Sequence, residues 1–265
     1  MATPSAPDLT VVIPVFNERD NLEALLAELE PCLRALQRSF EVLCVDDCSS
    51  DDSLQILRRL QADREWLRLV RHRVNCGESA GQATGFRHAR GTLVITMDAD
   101  LQNDPADIAP MLLELEDDVA AVCGVRRKRE DDVVKRLSSR IANAFRNAVT
   151  GDRIADAGCT FRVLRRAALA DLPVFNGLHR FLPTILRWQG YRVRERLVNH
   201  RPRTRGVSKY GVGNRAWRGI ADCLAMRWYR RRCLPAARAL VDPQPAVTQP
   251  GGDRPAVAQR GHADR

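Results

Sequence analysis

The amino-acid sequence predicts an α/β protein in which a mostly parallel central sheet is flanked by helices. Short apolar, β-rich runs alternate along the chain with longer segments whose leucines recur at helical spacing. Strands that alternate with helices of this length are typical of βαβ units. A chain of 265 residues is long enough for one sizeable domain with a full core, and we find no internal repeat.

Each element can be placed in turn from its apolar pattern. The predicted elements, in chain order, are a strand at residues 9–15, a helix through Leu22, Leu25, Leu26 and Leu29, a strand at 40–45, a helix through Leu54, Leu57 and Leu60, a strand at 67–70, a helix of small residues at 79–89 and a strand at 92–97. Period-two or continuous apolar runs favour the strands, whereas apolar residues three and four apart favour the helices.

Three polar loops follow predicted strands, at residues 14–18, 46–53 and 98–104. Ligands of open α/β sheets bind beyond the carboxyl ends of the strands, so these loops predict a nucleotide-sized crevice. The chain has no Gly-x-x-x-x-Gly-Lys-Ser/Thr sequence and no Gly-x-Gly-x-x-Gly after the first strand. These absences argue against a P-loop and against a dinucleotide-binding Rossmann site.

The third loop places two carboxylates, Asp98 and Asp100, directly after the apolar run 93–95. Such oxygen ligands can hold a divalent metal against a diphosphate, because Mg²⁺ prefers a few carboxylates together with substrate phosphates. The alternative is that the Asp-x-Asp sequence only caps the next turn or helix. The other two polar loops, predicted at the same edge of the sheet, favour the metal site.

The net charge of +9 is unevenly distributed, because residues 201–232 contain ten Lys or Arg and a single acid, Asp222. Such a block suggests a polyanionic partner: nucleic acid, an anionic membrane surface or a phosphorylated substrate. We expect disorder at residues 1–8 and in the tail at 234–265, which lacks apolar periodicity. No apolar run approaches the ~18 residues that span a bilayer, and no secretory signal is visible.

The eight cysteines are scattered, and none forms a Cys-x-x-Cys pair. Cys44 and Cys48 are the closest in sequence, but no second ligand pair accompanies them, so the sequence argues against a zinc site. Reduced and mostly buried thiols in a cytosolic protein are the simpler expectation.

Six segments resemble, in order, the motifs of glycosyltransferase family 2. The resemblance is to its polyprenyl-phosphate branch, which contains dolichol-phosphate mannose synthases and bacterial undecaprenyl-phosphate glycosyltransferases. The segments are 12–18 (VIPVFNE), 45–50 (VDDCSS), 97–102 (MDADLQ), 156–159 (DAGC), 177–181 (GLHRF) and 203–210 (RTRGVSKY). The resemblance implies a GT-A-like catalytic domain at residues 9–213, followed by an amphipathic interfacial helix at 214–233.

The resemblance also implies a set of residues that bind the nucleotide-sugar donor. This set comprises Pro14, Phe16, Glu18, Val45, Asp47, Asp98 and Ala99. A carboxylate such as that of Asp47 can accept hydrogen bonds from a base N–H or a ribose hydroxyl. The structural alternatives are that Pro14 ends the strand, and that Glu18 and Asp20 lie in the first turn of the next helix.

Asp98, Asp100 and Gln102 would form the metal site, as the same resemblance implies. Asp100 and Gln102 are the leading direct ligands, and Asp98 faces the donor or the metal. Mg²⁺ or Mn²⁺ at this position would bridge the donor diphosphate and neutralise the charge that builds on the leaving group.

Further implied roles fall on the acceptor side of the site. The implied catalytic residues are Asp98, Asp100, Arg126, Asp156, Arg205 and Lys209, and the implied acceptor-phosphate residues are Lys135, Ser139, His179, Arg180 and Arg203. Arg126 suits this task because its planar donor fork binds phosphate bidentately, although it begins a charge run of the kind usually found on solvated faces. For Asp156 the resemblance implies that it orients the acceptor or acts as a base, and the alternative is a turn residue near Gly158.

The three basic residues near the end of the implied catalytic domain have their own alternative. Arg203, Arg205 and Lys209 would flank a glycine-containing loop that closes cationic groups over the donor and acceptor phosphates. Alternatively they belong to a basic surface that faces the membrane, and both roles are compatible.

The implied reaction transfers a sugar from a nucleotide-sugar to a polyprenyl phosphate, with inversion at the anomeric carbon. An ionised phosphate acceptor needs positioning more than deprotonation. Two other functions remain open on the sequence: a family 2 enzyme that acts on a glycan or other soluble acceptor, and a basic protein without enzymatic activity that binds membrane or nucleic acid.

The predicted helix at 214–233 carries Trp217, Leu224 and Trp228 on one face and arginines elsewhere, as in-plane interfacial helices do. The alternative is a terminal helix packed on the domain core. We expect a peripheral protein on the cytoplasmic face of the membrane, with an anionic membrane surface as a partner and no nucleic acid. It would act alone or with a separate membrane-embedded partner.

Overall fold

The computed structural model describes residues 6–127, 133–202 and 215–233. Its centre is one seven-stranded sheet with the spatial order β3-β2-β1-β4-β6-β5-β7. The strands are β1 (Leu9–Val15), β2 (Phe40–Asp46), β3 (Leu67–Arg71), β4 (Leu93–Thr96), β5 (Val119–Arg126), β6 (Arg162–Arg165) and β7 (Arg192–Val198).

Helices cover both faces of the sheet. They are α1 (Leu22–Ala35), α2 (Ser53–Ala62), α3 (Glu78–His88), α4 (Ile108–Leu113), α5 (Val133–Thr150), α6 (Leu178–Trp188) and α7 (Arg215–Arg232), with 3₁₀ turns at Pro105–Asp107 and Arg166–Leu169. The strands and helices predicted over the first hundred residues are all present, with ends shifted by a residue or two. No helix in the described part of the chain is both long enough and apolar enough to cross a membrane.

The sheet is mostly parallel, as the sequence predicts, with one reversed strand. β1 pairs in parallel with β2 and β4, β2 with β3, and β5 with β7. Only β6 runs antiparallel to its neighbours β4 and β5. The carboxyl ends of the other six strands therefore lie along one edge of the sheet.

The core consists of layers on the two faces of this sheet. Val11, Ile13 and Val15 of β1 pack among the leucines of α1 and α2, whereas Val12 belongs to a second cluster with Phe86 of α3 and residues of α6. This division follows from the alternation of side chains along a strand. Each fully buried aliphatic side chain contributes roughly 1.5–3 kcal/mol.

Helix α3 consists largely of small residues because it lies very close to β1. A Cβ atom at Gly85 would come within 2.1 Å of the Cγ1 atom of Val12, and one at Gly81 would lie 3.0 Å from the Cβ atom of Pro14. Larger side chains would push the helix away from the sheet. The close packing brings the first turn of α3, with Glu78 and Ser79, to the carboxyl edge of the sheet.

Candidate active site

The three predicted polar loops do meet at one edge, because β2, β1 and β4 are adjacent parallel strands. Asn17 joins two of the loops: its backbone N–H donates to the Ser49 hydroxyl at 3.0 Å, and its side-chain oxygen accepts from the backbone N–H of Ser50 at 2.7 Å. Asn17 has a φ of 53°, in the left-handed region that Asn tolerates better than most residues. The first two polar loops are thus joined by hydrogen bonds at the edge where the sequence predicts a crevice.

The acidic turn after β4 is held by its own hydrogen bonds. The backbone N–H of Asp98 donates to the side-chain oxygen of Asn103 at 2.9 Å, and that of Gln102 donates to Asp100 at 3.2 Å. Leu101, with a φ of 64°, turns the chain between them. The predicted metal residues Asp98, Asp100 and Gln102 therefore share one tight turn, and Ala99 between the two acids is buried.

Asp98 is further fixed by Thr160, whose hydroxyl lies 2.7 and 2.6 Å from its two carboxylate oxygens. Burial, followed by the charge of Asp100, raises the pKa of Asp98 to about 6, although the Thr160 hydrogen bond acts in the opposite direction. The cost of ionising Asp98 is therefore only partly offset by its protein neighbours.

Glu78 is a third carboxyl group in this environment. Burial, followed by the charge of Asp98, raises the pKa of Glu78 to about 7, while Arg162 and Arg180 act to lower it. The Arg162 side chain is fully buried, and its guanidinium has no hydrogen-bond partner among the described residues. Arg162 thus lies where its charge supports the ionised forms of both Glu78 and Asp98.

The donor set fits a hard divalent cation. Asp98 and Asp100 are carboxylates of like charge whose mutual repulsion contributes to the raised pKa of Asp98, and a bound cation would relieve that repulsion. Carboxylate and amide oxygens suit Mg²⁺ or Mn²⁺. The residues present therefore match the metal that the sequence resemblance implies.

Gln102 is oriented by the segment that follows β7. Its amide nitrogen donates to the Arg201 carbonyl at 3.1 Å and lies 3.4 Å from Nε2 of His200. These contacts direct the amide N–H group toward the protein, which leaves the amide oxygen for other ligands. The His200 imidazole thus places a ring nitrogen close to the predicted metal residues.

The implied donor residues occupy the same edge with different degrees of burial. Pro14, Phe16 and Glu18 are partly exposed, whereas Val45 is fully buried and Asp47 nearly so. The Asp47 carboxylate accepts hydrogen bonds from the backbone N–H groups of Cys76, at 2.8 Å, and Gly77, at 2.7 Å. Asp47 therefore also anchors the loop before α3.

The alternative assignment of Glu18 and Asp20 to the first turn of a helix is wrong. Helix α1 begins at Leu22, and the acid in its first turn is Glu23. Glu18 instead accepts a hydrogen bond at 2.6 Å from the side chain of Asn21, the residue just before the helix.

Arg126 and Asp156, for which the sequence suggests separate roles, are bound to each other. The Arg126 guanidinium donates through Nε and NH2 to the two oxygens of Asp156, at 2.7 and 2.8 Å. A Cβ atom at Gly158 would lie 3.0 Å from the same NH2 atom, so Gly158 allows this close approach. Asp156 thus fixes the direction of the arginine, whose charge in turn lowers the pKa of Asp98.

His179 and Arg180 lie at the start of α6, beside the start of α3. The Ser79 hydroxyl lies 2.7 Å from Nδ1 of His179 and accepts from the backbone N–H of Gly177 at 3.0 Å. Nε2 of His179 is 3.6 Å from the Glu78 carboxylate. The two helix starts are therefore joined next to the acidic turn.

The other implied acceptor-side residues cannot be placed in the same detail. Lys135 and Ser139 lie in α5, in the part of that helix whose side chains are outside the description. Arg203, Arg205 and Lys209 lie outside the described residues.

Four side chains at this site were not identified from the sequence: Glu78, Thr160, Arg162 and His200. Glu78 follows an Asn-x-Gly sequence before a helix of small residues, where an acid at the helix start suggests only a favourable dipole interaction. Thr160 and Arg162 lie just after the implied motif at 156–159. Extending that motif by three residues would have included both of them.

Comparisons with known proteins test the family resemblance seen in the sequence. A profile of Glycosyl transferase family 2 matches residues 10–172. Dodecaprenyl-phosphate galacturonate synthase from Rhizobium johnstonii is 34% identical over 230 residues, covering 84% of this chain and 68% of that protein. Undecaprenyl-phosphate 4-deoxy-4-formamido-L-arabinose transferase from Edwardsiella ictaluri is 37% identical over 207 residues, covering 77% of this chain and 63% of that protein.

Solved structures match the fold. Glucosyl-3-phosphoglycerate synthase from Mycobacterium tuberculosis, in complex with Mn²⁺, UDP and glucosyl-3-phosphoglycerate, superposes with a TM-score of 0.64 at 17% identity, covering 84% of this chain and 80% of that chain. A mannosyltransferase from Pyrobaculum calidifontis, in complex with GDP-Man and Mn²⁺, gives a TM-score of 0.57 at 24% identity, covering 91% and 67%. The GT-A-like fold predicted from the sequence is confirmed, and the chain belongs to glycosyltransferase family 2.

Proposed function

We propose that this protein is a metal-dependent, inverting glycosyltransferase that moves a sugar from a nucleotide-sugar to the phosphate of a polyprenyl phosphate, such as undecaprenyl or dolichyl phosphate. The acceptor oxygen attacks the anomeric carbon, the bond from that carbon to the donor phosphate oxygen breaks, and the nucleoside diphosphate leaves with the bonding electrons. The names of the relatives support this acceptor class, and the chain spans 68% and 63% of the length of the two described above.

The observation that carries the proposal is the position of the acidic turn. Asp98, Asp100 and Gln102 lie at the carboxyl edge of β4, next to the loops after β1 and β2. Arg126 is the last residue of β5 and Asp156 precedes β6, so this pair lies on the other side of β4. Under this proposal the oxygen ligands would lie between the loops that hold the nucleotide and a fixed cation, an arrangement that suits transfer between a diphosphate donor and a phosphate acceptor.

On the donor side, Asp100 and Gln102 would hold the divalent cation directly, with Asp98 as a further ligand or a contact to the donor. The cation would supply charge neutralisation for the departing diphosphate. Pro14, Phe16, Glu18, Val45, Asp47 and Ala99 would contact the nucleotide. The hydrogen bonds within the three loops keep these groups in place before the donor arrives, which reduces the entropic cost of ordering them.

On the acceptor side, Arg126 would bind and orient the phosphate, helped by His179 and Arg180 and by Lys135, Ser139, Arg203, Arg205 and Lys209. Asp156 acts through Arg126 because both of its oxygens are engaged by the guanidinium. A phosphate monoester with a second pKa of about 6 is mostly ionised at neutral pH, so the site needs no strong base.

The last helix supports contact with an anionic membrane surface. Cys223 and Met226 of α7 are buried, while Leu224 and Trp228 are 56% and 63% exposed. Arg227, Arg231 and Arg232 are exposed nearby, and α5, which packs against α7, also exposes Ile141 and Phe145. The helix is therefore packed on the domain through one face and presents an apolar face rimmed by arginines, a combination suited to the interface of an anionic bilayer.

We further propose that the protein works as a peripheral protein at the cytoplasmic face of the membrane, alone or beside a membrane-embedded partner. A lipid acceptor requires such a position because its phosphate stays at the bilayer surface. The arginines of α7 would add electrostatic attraction to the cytoplasmic leaflet.

The test is a transfer assay with purified protein, Mn²⁺ or Mg²⁺, a panel of nucleotide-sugars and either undecaprenyl or dolichyl phosphate in vesicles. We expect sugar to appear in the lipid fraction only when polyprenyl phosphate is present, and to be lost with chelator. Transfer to a glycan or other soluble acceptor without polyprenyl phosphate would instead support the second family 2 function. Complete absence of transfer across the panel would contradict the proposal.

A further inference from the structure

A mixed group of side chains, Asp47, His72 and Cys76, comes together beside the acidic turn but outside it. Asp47 directly follows β2 and His72 directly follows β3, and these strands are parallel neighbours whose register pairs Asp46 with Arg71. Cys76 lies on the loop between β3 and α3. One carboxylate oxygen, one imidazole nitrogen and the thiol sulfur all lie within 4.8 Å of one another.

We infer that Asp47, His72 and Cys76 form a binding site for Zn²⁺, separate from the oxygen-ligand site at Asp98 and Asp100. Carboxylate, imidazole and thiolate are the three ligand types that zinc takes from proteins, at distances of about 2.0–2.3 Å. Three protein ligands leave a fourth tetrahedral position for water or a solute. The thiol and the imidazole distinguish this group from sites for Mg²⁺, which takes oxygen ligands.

The Asp47 carboxylate is already oriented for this task. Its Oδ1 atom accepts from the backbone N–H of Cys76 at 2.8 Å and lies 2.7 Å from Nδ1 of His72. Its Oδ2 atom accepts from the backbone N–H of Gly77 at 2.7 Å, which leaves one of the lone pairs of this oxygen for a cation. The two backbone hydrogen bonds also keep Cys76 next to the carboxylate.

His72 has a hydrogen-bond partner on its second ring nitrogen, as metal-binding histidines usually do. Its Nε2 atom lies 2.9 Å from the Thr84 hydroxyl, on α3. When zinc binds Nδ1, the ring carries its proton on Nε2 and donates it to Thr84, which fixes the tautomer and the ring orientation. The imidazole thus moves its proton from one nitrogen to the other, and the Cys76 thiol releases its proton to solvent as it becomes a thiolate.

Access to the group is from the thiol side. The side chains of Asp47 and His72 are only 5% and 13% exposed, whereas Cys76 is an exposed residue. If Asp47 served only to fix the loop before α3, its carboxylate and the two backbone N–H groups would be enough. Neither the imidazole nor the thiol is required for that role. The exposed thiol can rotate toward the two preorganised ligands when a metal arrives.

Occupancy by zinc has a consequence for the donor, and this step rests on the proposed function. Asp47 belongs to the residues that we propose for nucleotide binding, and zinc would use its remaining lone pair. Zinc binding and donor binding would therefore compete, which would make transfer sensitive to zinc even with Mn²⁺ in excess.

Co²⁺ is a suitable probe because a thiolate ligand gives it a charge-transfer absorption in the near ultraviolet that oxygen ligands do not give. We expect the tag-free, chelator-treated full chain to develop this absorption with Co²⁺, to lose it on addition of Zn²⁺ and to keep it in excess Mg²⁺. Cys76→Ser should abolish it, whereas Cys48→Ser, one residue after Asp47 but outside the group, should retain it. Thr84→Val should weaken Co²⁺ binding by about 10–100-fold.

Absence of the thiolate absorption in the wild-type chain, or its persistence in Cys76→Ser, would overturn the inference. Thermal unfolding and circular dichroism of each variant separate loss of the site from loss of the fold. Titration with UDP and GDP, in enough Mg²⁺ that the diphosphates do not chelate Co²⁺ themselves, then tests the competition. Displacement of Co²⁺ supports it, and an unchanged absorption at saturating nucleotide refutes it. Neither the Co²⁺ result nor its control depends on sugar transfer, so failure of the proposed function would be seen separately.

Discussion

Thr160 faces Asp98 because the antiparallel pairing of β4 and β6 continues past the end of both strands. The register pairs Thr96 with Arg162, and two further steps along each chain bring Asp98 opposite Thr160. The resulting contact joins residues 62 positions apart in the sequence. The residues just before a reversed strand thus supply the hydroxyl that stabilises a carboxylate predicted to bind metal.

Replacement of Thr160 by Val should raise the pKa of Asp98 above its value of about 6, because the lost hydrogen bond favours the ionised form. One hydrogen bond of about 1–1.5 kcal/mol corresponds to roughly one pH unit. The pH dependence of Mn²⁺ affinity, measured between about pH 5 and 8, should shift upward by this amount. Thr160→Ser keeps the hydroxyl and should leave the profile in place; identical profiles for Val and Ser would contradict the role of the hydroxyl.

Asp100→Asn should lower sugar transfer by at least about 100-fold, because it removes one negative charge and one strong ligand from the metal site. The substitution preserves side-chain size, so the thermal unfolding temperature of the chelator-treated protein should change little. The matched control is Asp117→Asn, at an exposed acid before β5. Wild-type transfer and Mn²⁺ affinity in Asp100→Asn would rule out this turn as the metal site.

The sequence was sufficient to predict that the three polar loops proposed for the donor meet at one edge of the sheet, but not the contacts among the residues proposed for the acceptor. The loops after β1, β2 and β4 could be placed together because consecutive βαβ units bring parallel strand ends to one edge. Thr160 and the pairing of Arg126 with Asp156 depend on the register of β6, which no local pattern specifies. Glu78 became part of the site only because α3 packs close to β1 at Gly81 and Gly85.

Glu78 should make the stability of the metal-free protein fall as pH rises. Its pKa is raised from 4.5 to about 7 in the folded state. Between these values the folded protein keeps a proton that the unfolded chain releases, so the free energy of unfolding decreases with increasing pH across this window. The Glu78→Gln variant has no carboxyl group to titrate, so it should not show this decrease in the free energy of unfolding with rising pH.

At pH 8 the Glu78→Gln variant should be more stable by roughly 1–3 kcal/mol, or about 2–6 °C in unfolding temperature, and at pH 4.5 the difference should be small. Measurements in chelator isolate the effect from metal binding. Glu65→Gln, at an exposed position, serves as the control. An equal gain at both pH values would show that the raised pKa is not the cause.

The Arg126–Asp156 pair should contribute strongly to local stability, because both side chains are only about 15% exposed. Asp156→Asn should lower the free energy of unfolding by about 2–4 kcal/mol, since it leaves a mostly buried cation without its counter-charge. Combining it with Arg126→Met should cost less than the sum of the two single changes. Asp118→Asn, which breaks the solvent-exposed pair with Arg192, should have no measurable effect, and strict additivity at the buried pair would contradict the coupling.

Leu224→Ser and Trp228→Ser should each weaken binding to anionic vesicles by about tenfold or more, because each removes an apolar side chain from the proposed interface. Flotation or sedimentation with vesicles of defined anionic lipid content measures this affinity. The control is Leu113→Ser, because Leu113 is 83% exposed on α4. Equal losses in all three variants would argue against a specific membrane-facing surface on α7.

The reversed strand β6 divides the sheet into two parts that meet at Asp98. The four strands on one side carry the loops proposed to bind the donor, and β5 and β7 on the other side lead into residues proposed for the acceptor. Because the two parts are joined by a single short strand, under the proposed function the acceptor part can change in evolution while the nucleotide pocket stays intact. Chimaeras that exchange residues from β5 onward between relatives should therefore alter the lipid acceptor and retain the sugar donor.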